Sequence, residues 1–211
     1  MTIENCPCSD LEVGCTGWRN IQKMAAIDWA KNCIYGGDSW VVLDFETTGL
    51  EGEALQIGIV DQGGIVRLDS LICPLKLTID PGTQATHGIS AEMVADAPTF
   101  AELYERIMAC IAGKRVLAYN AKFDRGILER TCGLYNLPVP EAEWDDPMLR
   151  YAAYHGEWNS YYHSFRWQRL EQACQQMGIT VSGAAHNAAV DCEMTRQLIL
   201  AMAGEEKNND D

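Results

Sequence analysis

Positive charge is scarce in this sequence, which has 16 lysine and arginine residues against 30 aspartate and glutamate residues and a formal net charge of −14. Proteins that hold nucleic acid through its phosphates usually present a basic surface. The composition therefore argues against tight, sequence-independent binding of DNA. Part of the negative charge would be neutralised if it were gathered at a metal site.

Long apolar runs are also absent, and no stretch approaches the length of a membrane span. The first ten residues lack the basic start and apolar run of a signal peptide. The nine cysteines are odd in number, and several lie in apolar patterns such as residues 107–111. Reduced, partly buried thiols are typical of a cytosolic protein, so the sequence predicts a cytoplasmic location without membrane contact.

The chain of 211 residues suits one well-cored domain. We predict an N-terminal extension over residues 1–38, with one amphipathic helix from Trp18 to Cys33. The main domain is expected over residues 39–203, followed by an acidic, disordered tail over residues 204–211. The sequence does not indicate the oligomeric state.

The periodicity of the main domain predicts an α/β fold, in which helices pack on a mixed sheet. An aromatic-rich loop is expected over residues 155–167. Its aromatic side chains and one arginine could stack on single-stranded nucleic-acid bases, although aromatic side chains more commonly pack in the core. These residues are Tyr161, Tyr162, Phe165, Arg166 and Trp167. Strands are predicted at residues 40–45, 54–61, 65–73 and 115–119, and helices at residues 90–95, 99–112, 168–177 and 188–202. A further helix is predicted after Asn120, which can act as its cap.

Two acidic residues close the first predicted strand. Side chains alternate along a strand, so Asp44 and Glu46 share a face while Phe45 points to the other. Their Cα atoms would lie about 6.5–7 Å apart, which suits carboxylates that converge on two divalent ions roughly 4 Å apart. The alternative is that the strand ends at Phe45 and that Glu46 is solvated.

Two further segments carry candidate residues. Asp124 falls in the first turn of a helix, where the helix dipole alone would favour a carboxylate. The neighbouring Lys122 and Arg125 could meet phosphates or form a solvated face. His186 and Asp191 would diverge by roughly 140° on one helix, so they converge only if His186 precedes the helix, which Gly183 permits.

Together these segments resemble the DEDDh exonucleases, a family that includes the epsilon subunit of bacterial DNA polymerase III, ribonuclease T and oligoribonuclease. Asp44–Gly49 matches the family pattern D-x-E-T-T-G, Asn120–Asp124 matches N-x-x-F-D, and His186–Asp191 matches H-x-x-x-x-D. Thr86–Ile89 also resembles the family segment T-H-G-I. The resemblance covers roughly residues 39–203 and implies a ribonuclease H-like mixed sheet flanked by helices.

The resemblance further implies a 3′→5′ exonuclease that hydrolyses phosphodiester bonds at the 3′ end of DNA, preferably single-stranded. It implies a two-metal mechanism in which Asp44 bridges both ions, Glu46 and Asp191 complete one site, Asp124 holds the other, and His186 is the general base. Four carboxylates without clustered cysteines or a second histidine suit Mg²⁺ or Mn²⁺ better than zinc. The implied substrate contacts are Thr47, Gly49, Leu50, His87, Ile89 and Asn120. Plain loop packing is the alternative for His87 and Ile89.

Three alternatives stay open. The first is an exoribonuclease of the same fold. The second is a non-catalytic nucleic-acid binding module, which predicts at least one broken acidic position, whereas the five catalytic positions are intact here. The third is a small zinc module made by Cys6, Cys8, Cys15 and Cys33, although the C-x-C spacing is unusual for zinc. The scarcity of positive charge also suggests that a polymerase or another partner tethers the protein to its substrate.

Overall fold

The computed structural model describes residues 15–183 and 186–204. The acidic tail from residue 205, the cysteines at positions 6 and 8 and the side chain of Cys15 lie outside the described residues. No helix in the described part of the chain has the length and apolar character that crossing a membrane requires.

One five-stranded mixed sheet forms the centre of the protein. Its spatial order is β3-β2-β1-β4-β5. β1 pairs antiparallel with β2, which pairs antiparallel with β3, whereas β4 runs parallel to both β1 and β5. The mixed sheet was predicted, but its short edge strand β5 was not. The strands are β1 (Trp40–Thr47), β2 (Ala54–Asp61), β3 (Val66–Leu71), β4 (Arg115–Leu117) and β5 (Glu143–Asp145).

Eight helices and a small hairpin complete the described part of the chain. Several helix starts have clear local causes: Thr99 and Glu102 form a capping box, and Asp80 and Asp146 cap helices that begin with proline. The elements are α1 (Cys15–Tyr35), α2 (Pro81–His87), α3 (Ala91–Val94), α4 (Phe100–Ile111), α5 (Ala121–Leu134), α6 (Pro147–His155), β6 (Trp158–Asn159), β7 (Ser164–Phe165), α7 (Leu170–Gln176) and α8 (Ala188–Ala203).

The central strand β1 is buried on both faces, and its alternation assigns each side chain to a layer. Val41, Leu43 and Phe45 belong to the core cluster that contains residues of α4 and α5. Trp40 and Val42 belong to the other cluster, with residues of α1, α6 and α8. By the same alternation, the side chains at positions 44 and 46 lie on the α8 side of the sheet.

The helix predicted before residue 39 is present as α1, which packs against α6 and α8. The division of the chain at residue 38 stays a prediction. Helices α2 and α6 were missed. Helix α2 has no buried residue and therefore no apolar stripe, and α6 is only nine residues long. Asn120 precedes α5 as predicted, but its side chain forms no cap hydrogen bond. The Asp146 carboxylate instead accepts hydrogen bonds from the backbone N–H groups of Asn120 and Ala121, both at 3.2 Å.

Candidate active site

Strand β1 presents Asp44 and Glu46 side by side. In the pairing with β2, Asp44 lies opposite Gly58 and Glu46 lies opposite Gln56, and the register shifts after Glu46. Both carboxylates are half-buried. The strand continues to Thr47, so the alternative in which it ends at Phe45 and leaves Glu46 fully solvated is wrong.

Close packing at Gly58 brings α8 over these carboxylates. A Cβ atom at Gly58 would lie 2.4 Å from the carbonyl carbon of Ala188, so only glycine admits the helix at this distance. Gln56 Oε1 accepts a hydrogen bond from Ala188 N at 3.3 Å, and the Cys192 thiol contacts the carbonyl of Gly58 at 3.3 Å. The first turn of α8 therefore lies on β2 and holds Asp191 beside Asp44 and Glu46.

Asp124 is tied directly to the central strand. Its Oδ1 atom accepts a hydrogen bond from the backbone N–H of Phe45 at 3.0 Å, and the residue is only 2% exposed. Asn120 adopts a left-handed conformation with φ 75°, which turns the chain from β4 into α5. This turn places Asp124 in the first turn of α5, against the acidic end of β1.

His186 lies before α8, as predicted. It adopts a left-handed conformation with φ 61°, and Asn187 caps the helix by accepting from Val190 N at 3.2 Å. Gly183 has φ 133°, and a Cβ there would lie 2.6 Å from a methyl group of Val190, so glycine is required. Donor atoms of Glu46, His186 and Asp191 all lie within 4.8 Å of one another. Because His186 precedes α8, its ring lies beside Asp191, without the angular separation that the two residues would have on one helix.

Glu171, in the first turn of α7, joins the same cluster. Its Oε1 atom lies 3.2 Å from Nε2 of His186. The sequence analysis did not identify Glu171. An acidic residue in the first turn of a helix is common, and no motif marks this one as functional.

The carboxylates of this cluster repel one another. Burial and the charge of Asp191 raise the pKa of Glu46 to about 7. Burial, with Glu171 nearby, raises the pKa of Asp191 to about 6, although His186 opposes the shift. Burial also raises the pKa of Asp44 and of Asp124, and neighbouring acids add to both shifts.

No lysine or arginine in the described residues forms an ion pair with any of these four carboxylates. Buried like charges without a cation are costly, and a bound divalent cation would compensate them. Oxygen ligands at such density fit Mg²⁺ or Mn²⁺. The donor set therefore fits the Mg²⁺ or Mn²⁺ ions that the sequence resemblance implies.

A rigid turn adjoins the acidic end of β1. Thr48 N donates to the Glu53 carbonyl, and Glu53 N donates to Thr48 Oγ1, both at 2.9 Å. The turn presents Leu50, which is 83% exposed. His87 Nε2 contacts the carbonyl of Thr47 at 3.1 Å, so the end of α2 is joined to the end of β1. Thr47, Gly49, Leu50 and His87 are thus neighbours beside the acidic cluster.

The predicted substrate contact of Ile89 needs correction. Its side chain is buried in a small cluster with Leu55 and Val94, so it does not line the cleft. Its backbone N–H donates to His87 Nδ1 at 2.9 Å, which makes it a support for that ring. Asn120 is exposed at the start of α5, and its contact with substrate stays a prediction.

The aromatic loop behaves differently from the expectation of core packing. Phe165 is buried, whereas Tyr161, Tyr162 and Trp167 are 82%, 73% and 65% exposed. Trp167 lines a cleft of about 900 Å³ together with Asp44 and His186. The loop therefore contributes one core residue and one wall of the candidate active site.

The structure around Cys33 does not support the zinc module proposed for the N-terminal cysteines. Its buried thiol contacts the Arg115 guanidinium, and burial raises its pKa to about 11, which disfavours the thiolate that zinc requires. The other three cysteines of the hypothetical zinc module have no described side chains, so the module as a whole is not tested.

Comparison with known proteins identifies relatives over most of the chain. The family model described as Exonuclease (RNase_T) matches residues 41–199. An uncharacterised exonuclease of Escherichia phage 186 is 32% identical over 174 residues, which cover 79% of this chain and 89% of the phage protein. The DNA polymerase III subunit epsilon of Salmonella typhimurium is 27% identical over 186 residues, which cover 78% of this chain and 71% of that subunit.

Solved structures share the fold at lower identity. Exonuclease X in complex with 5′ overhanging duplex DNA matches with a TM-score of 0.59 at 24% identity, over 78% of this chain and 93% of that one. The nuclease domain of 3′hExo, a DEDDh family member bound to rAMP, matches with a TM-score of 0.61 at 16% identity, over 82% of this chain and 96% of that one.

Proposed function

The chain belongs to the exonuclease (RNase_T) family and is a 3′→5′ exonuclease of the DEDDh fold, and from this premise we propose that it removes nucleotides from the 3′ end of single-stranded DNA. The observation that carries the proposal is the convergence of the carboxylates of β1, α5 and α8 with His186, at a cleft that Asp44, His186 and Asp191 line. DNA is favoured because a relative of the chain is a subunit of a DNA polymerase.

We propose that Asp44, Glu46, Asp124 and Asp191 hold two divalent cations, Mg²⁺ or Mn²⁺. Asp44 is central, because Asp124, Asp191 and Glu46 each raise its pKa. When bound, the cations would make a water more acidic and offset the charge that develops on the leaving 3′ oxygen. The mutual repulsion of the four carboxylates supports this assignment, because a bound divalent cation would offset their negative charge.

His186 is proposed as the general base. It takes a proton from the water that attacks the phosphorus of the terminal nucleotide, while the bond from phosphorus to the upstream 3′ oxygen breaks. The products are a nucleoside 5′-monophosphate and a strand shortened by one residue. Its place outside α8 supports the role, because the ring reaches Glu46 and Asp191 without interrupting the helix.

The terminal nucleotide is proposed to lie beside the turn after β1. Backbone groups at Thr47 and Gly49 would contact its 3′ hydroxyl, and Leu50 would press against its base. Two hydrogen bonds between Thr48 and Glu53 fix the turn, which supports this role. Because the turn already holds the exposed side chain of Leu50 in place, little further conformational entropy is lost when a base binds against it. His87 would complete this end of the cleft from α2.

A partner that tethers the enzyme is also proposed. With a net charge of −14, the chain has little long-range attraction for DNA. A polymerase is the chemical class of partner suggested by the relatedness to an epsilon subunit. Without a partner, we expect the enzyme to release its strand after few nucleotides.

The test is digestion of end-labelled single-stranded DNA, duplex DNA and RNA, each with Mg²⁺, Mn²⁺ or excess EDTA. We expect ladders of progressively shorter single-stranded DNA and release of nucleoside 5′-monophosphates only with metal. The matched control is Asp44→Asn, which keeps the shape of the side chain but removes a charge.

Three outcomes would change the proposal. Faster digestion of RNA would favour the exoribonuclease alternative. Binding without cleavage under every metal condition would favour the non-catalytic module. Full activity in excess EDTA would exclude the two-metal mechanism.

A further inference from the structure

The segment that follows the β6–β7 hairpin alternates between buried and exposed side chains. Phe165 and Gln168 are buried, whereas Arg166, Trp167 and Arg169 are exposed. The segment belongs to no helix and no strand of the main sheet. The buried neighbours Phe165 and Gln168 therefore fix the backbone from which the exposed side chains extend.

Gln168 anchors this backbone through both ends of its side-chain amide and through its backbone carbonyl. Its Nε2 atom donates to Glu157 Oε2 and to the Arg166 carbonyl, both at 3.2 Å, and its Oε1 atom accepts from Gln176 at 3.2 Å. The Tyr119 hydroxyl donates to the Gln168 carbonyl at 2.8 Å. Trp167 and Arg169 thus extend from a fixed backbone.

These two side chains line the same cleft as Asp44 and His186. Trp167 is 65% exposed, and its indole has no hydrogen bond or ring contact among the described residues. Ala85 and Thr86 of α2 line the same cleft. A fixed, exposed aromatic face in a cleft about 900 Å³ in volume has the shape that a nucleobase requires.

Arg169 is an unusual cation in so acidic a chain. Its guanidinium forms no ion pair or hydrogen bond with any described side chain, although the cleft around it contains Asp44, Glu171 and Asp191. The neighbouring Arg166, by contrast, pairs with Glu157 at 3.2 Å. A free guanidinium at the edge of a carboxylate cluster is suited to a phosphate group.

We propose that Trp167 and Arg169 form a strand-binding subsite for single-stranded DNA, in which Trp167 stacks on one nucleobase near the 3′ end and Arg169 contacts a backbone phosphate. The subsite rests on the proposed function of the same cleft and names the residues that would select a single strand there. Stacking on one face needs an unpaired base, so the subsite favours a single strand over a duplex end.

The test measures binding and does not depend on cleavage. Fluorescence anisotropy with labelled octathymidylate in Ca²⁺ gives Kd for wild type, Trp167→Ala and Trp167→Phe, together with octamers that contain one abasic position among the last four. Trp167→Ala should raise Kd about 5- to 150-fold, as loss of one base stack does, while Trp167→Phe should retain most of the affinity. Tyr161→Ala is the matched control, because Tyr161 is more exposed but does not line the cleft.

The abasic series shows whether the tryptophan contacts a base. At one position the abasic substitution should weaken wild type about as much as Trp167→Ala does, and should add little in that variant. Additive losses at every position, or an equal loss in Tyr161→Ala, would overturn the subsite. Arg169→Ala should reduce the slope of log Kd against log salt by about 0.7, whereas Arg166→Ala should leave it unchanged.

The outcomes also separate this inference from the proposed function. A wild-type protein that cleaves DNA but shows no coupling between Trp167 and any base would refute the subsite alone. A protein that shows the coupling but cleaves no strand with Mg²⁺ or Mn²⁺ would refute the exonuclease activity on DNA and retain the subsite.

Discussion

Glu171 Oε1 lies 3.2 Å from Nε2 of His186, so the proposed general base is held by a carboxylate of α7 that is not one of the four proposed metal ligands. If Nε2 carries the proton in this contact, Nδ1 keeps the lone pair that can accept a proton from water. The contact is partly exposed, with about 40% of each side chain accessible, so its value lies in orientation more than in stability.

The first prediction concerns this contact. Glu171→Ala should lower kcat by about 10- to 100-fold with little change in KM, because an unheld imidazole samples several orientations. Glu171→Gln should retain most of the activity, since its amide oxygen can still accept from Nε2. Single-turnover rates at saturating substrate measure the effect. A Glu171→Ala variant as active as wild type would show that the contact does not position His186.

The second prediction concerns pH and the metal-free protein. Glu46 has a pKa of about 7 against an ordinary value of 4.5, and Asp191 about 6 against 3.8. Between the ordinary pKa and the raised pKa of each group, the folded state retains a proton that the unfolded state has released. The free energy of unfolding therefore falls as pH rises through this range. In EDTA, the Tm should therefore decrease from pH 5 to pH 8 by at least about 3 °C, the effect of about 1 kcal/mol in a domain of this size.

His87 acts in the opposite direction, because burial lowers its pKa and so favours the neutral ring in the folded state. The control is Glu46→Gln, which keeps His87 but removes one shifted acid. The difference in Tm between this variant and wild type should grow with pH. Excess Mg²⁺ should abolish the fall in wild type, and an unchanged fall in Mg²⁺ would argue against metal binding at these carboxylates.

The third prediction separates a metal ligand from a general base. Asp44→Asn and His186→Ala should both lose activity, and His186→Ala by about 10²–10⁴-fold. Only Asp44→Asn should lose most of the rise in Tm that Mg²⁺ or Mn²⁺ produces. In the metal-free state, Asp44→Asn should melt above wild type, because one repelling charge is gone. If His186→Ala also lost the metal-induced rise, His186 would be a ligand.

Much of the site was predictable because its residues lie on elements with strong local signals. The apolar run from Trp40 to Phe45 predicted the central strand, and alternation then put Asp44 and Glu46 on one face. The apolar periodicity after Thr99 predicted α4, and the structure adds a capping box at its start. In each case the signal lies within a few residues of the feature, and tertiary contacts reinforce it.

The parts that were missed depend on contacts between distant segments. Strand β5 has only three residues, and its pairing with β4 gives no periodic pattern in the sequence. Asn120 has a left-handed backbone instead of the extended one of a capping residue, and the Asp146 carboxylate, some 25 residues away, binds the backbone N–H groups of Asn120 and Ala121. The exposure of Trp167 likewise follows from the burial of Gln168, which the sequence does not indicate.

The fourth prediction concerns Gly58, whose lack of a side chain allows α8 to reach the sheet. A Cβ at Gly58 would lie 2.4 Å from the Ala188 carbonyl carbon and 2.5 Å from the Ala189 nitrogen. Both neighbours are backbone atoms, so the helix must move as a whole. Gly58→Ala should cost about 3 kcal/mol, or a fall in Tm of roughly 6–12 °C.

Movement of α8 would also displace Asp191 from Asp44, so Gly58→Ala should lose activity and metal-induced stabilisation even where the protein remains folded. Gly133→Ala is the matched control, because Gly133 lies in α5 and has nothing within 4 Å of an added Cβ. That change should stabilise the protein by about 0.5–1 kcal/mol and leave activity unchanged. Full activity of folded Gly58→Ala would mean that the position of α8 tolerates a shift, and that the contact at Gly58 serves packing rather than the alignment of Asp191.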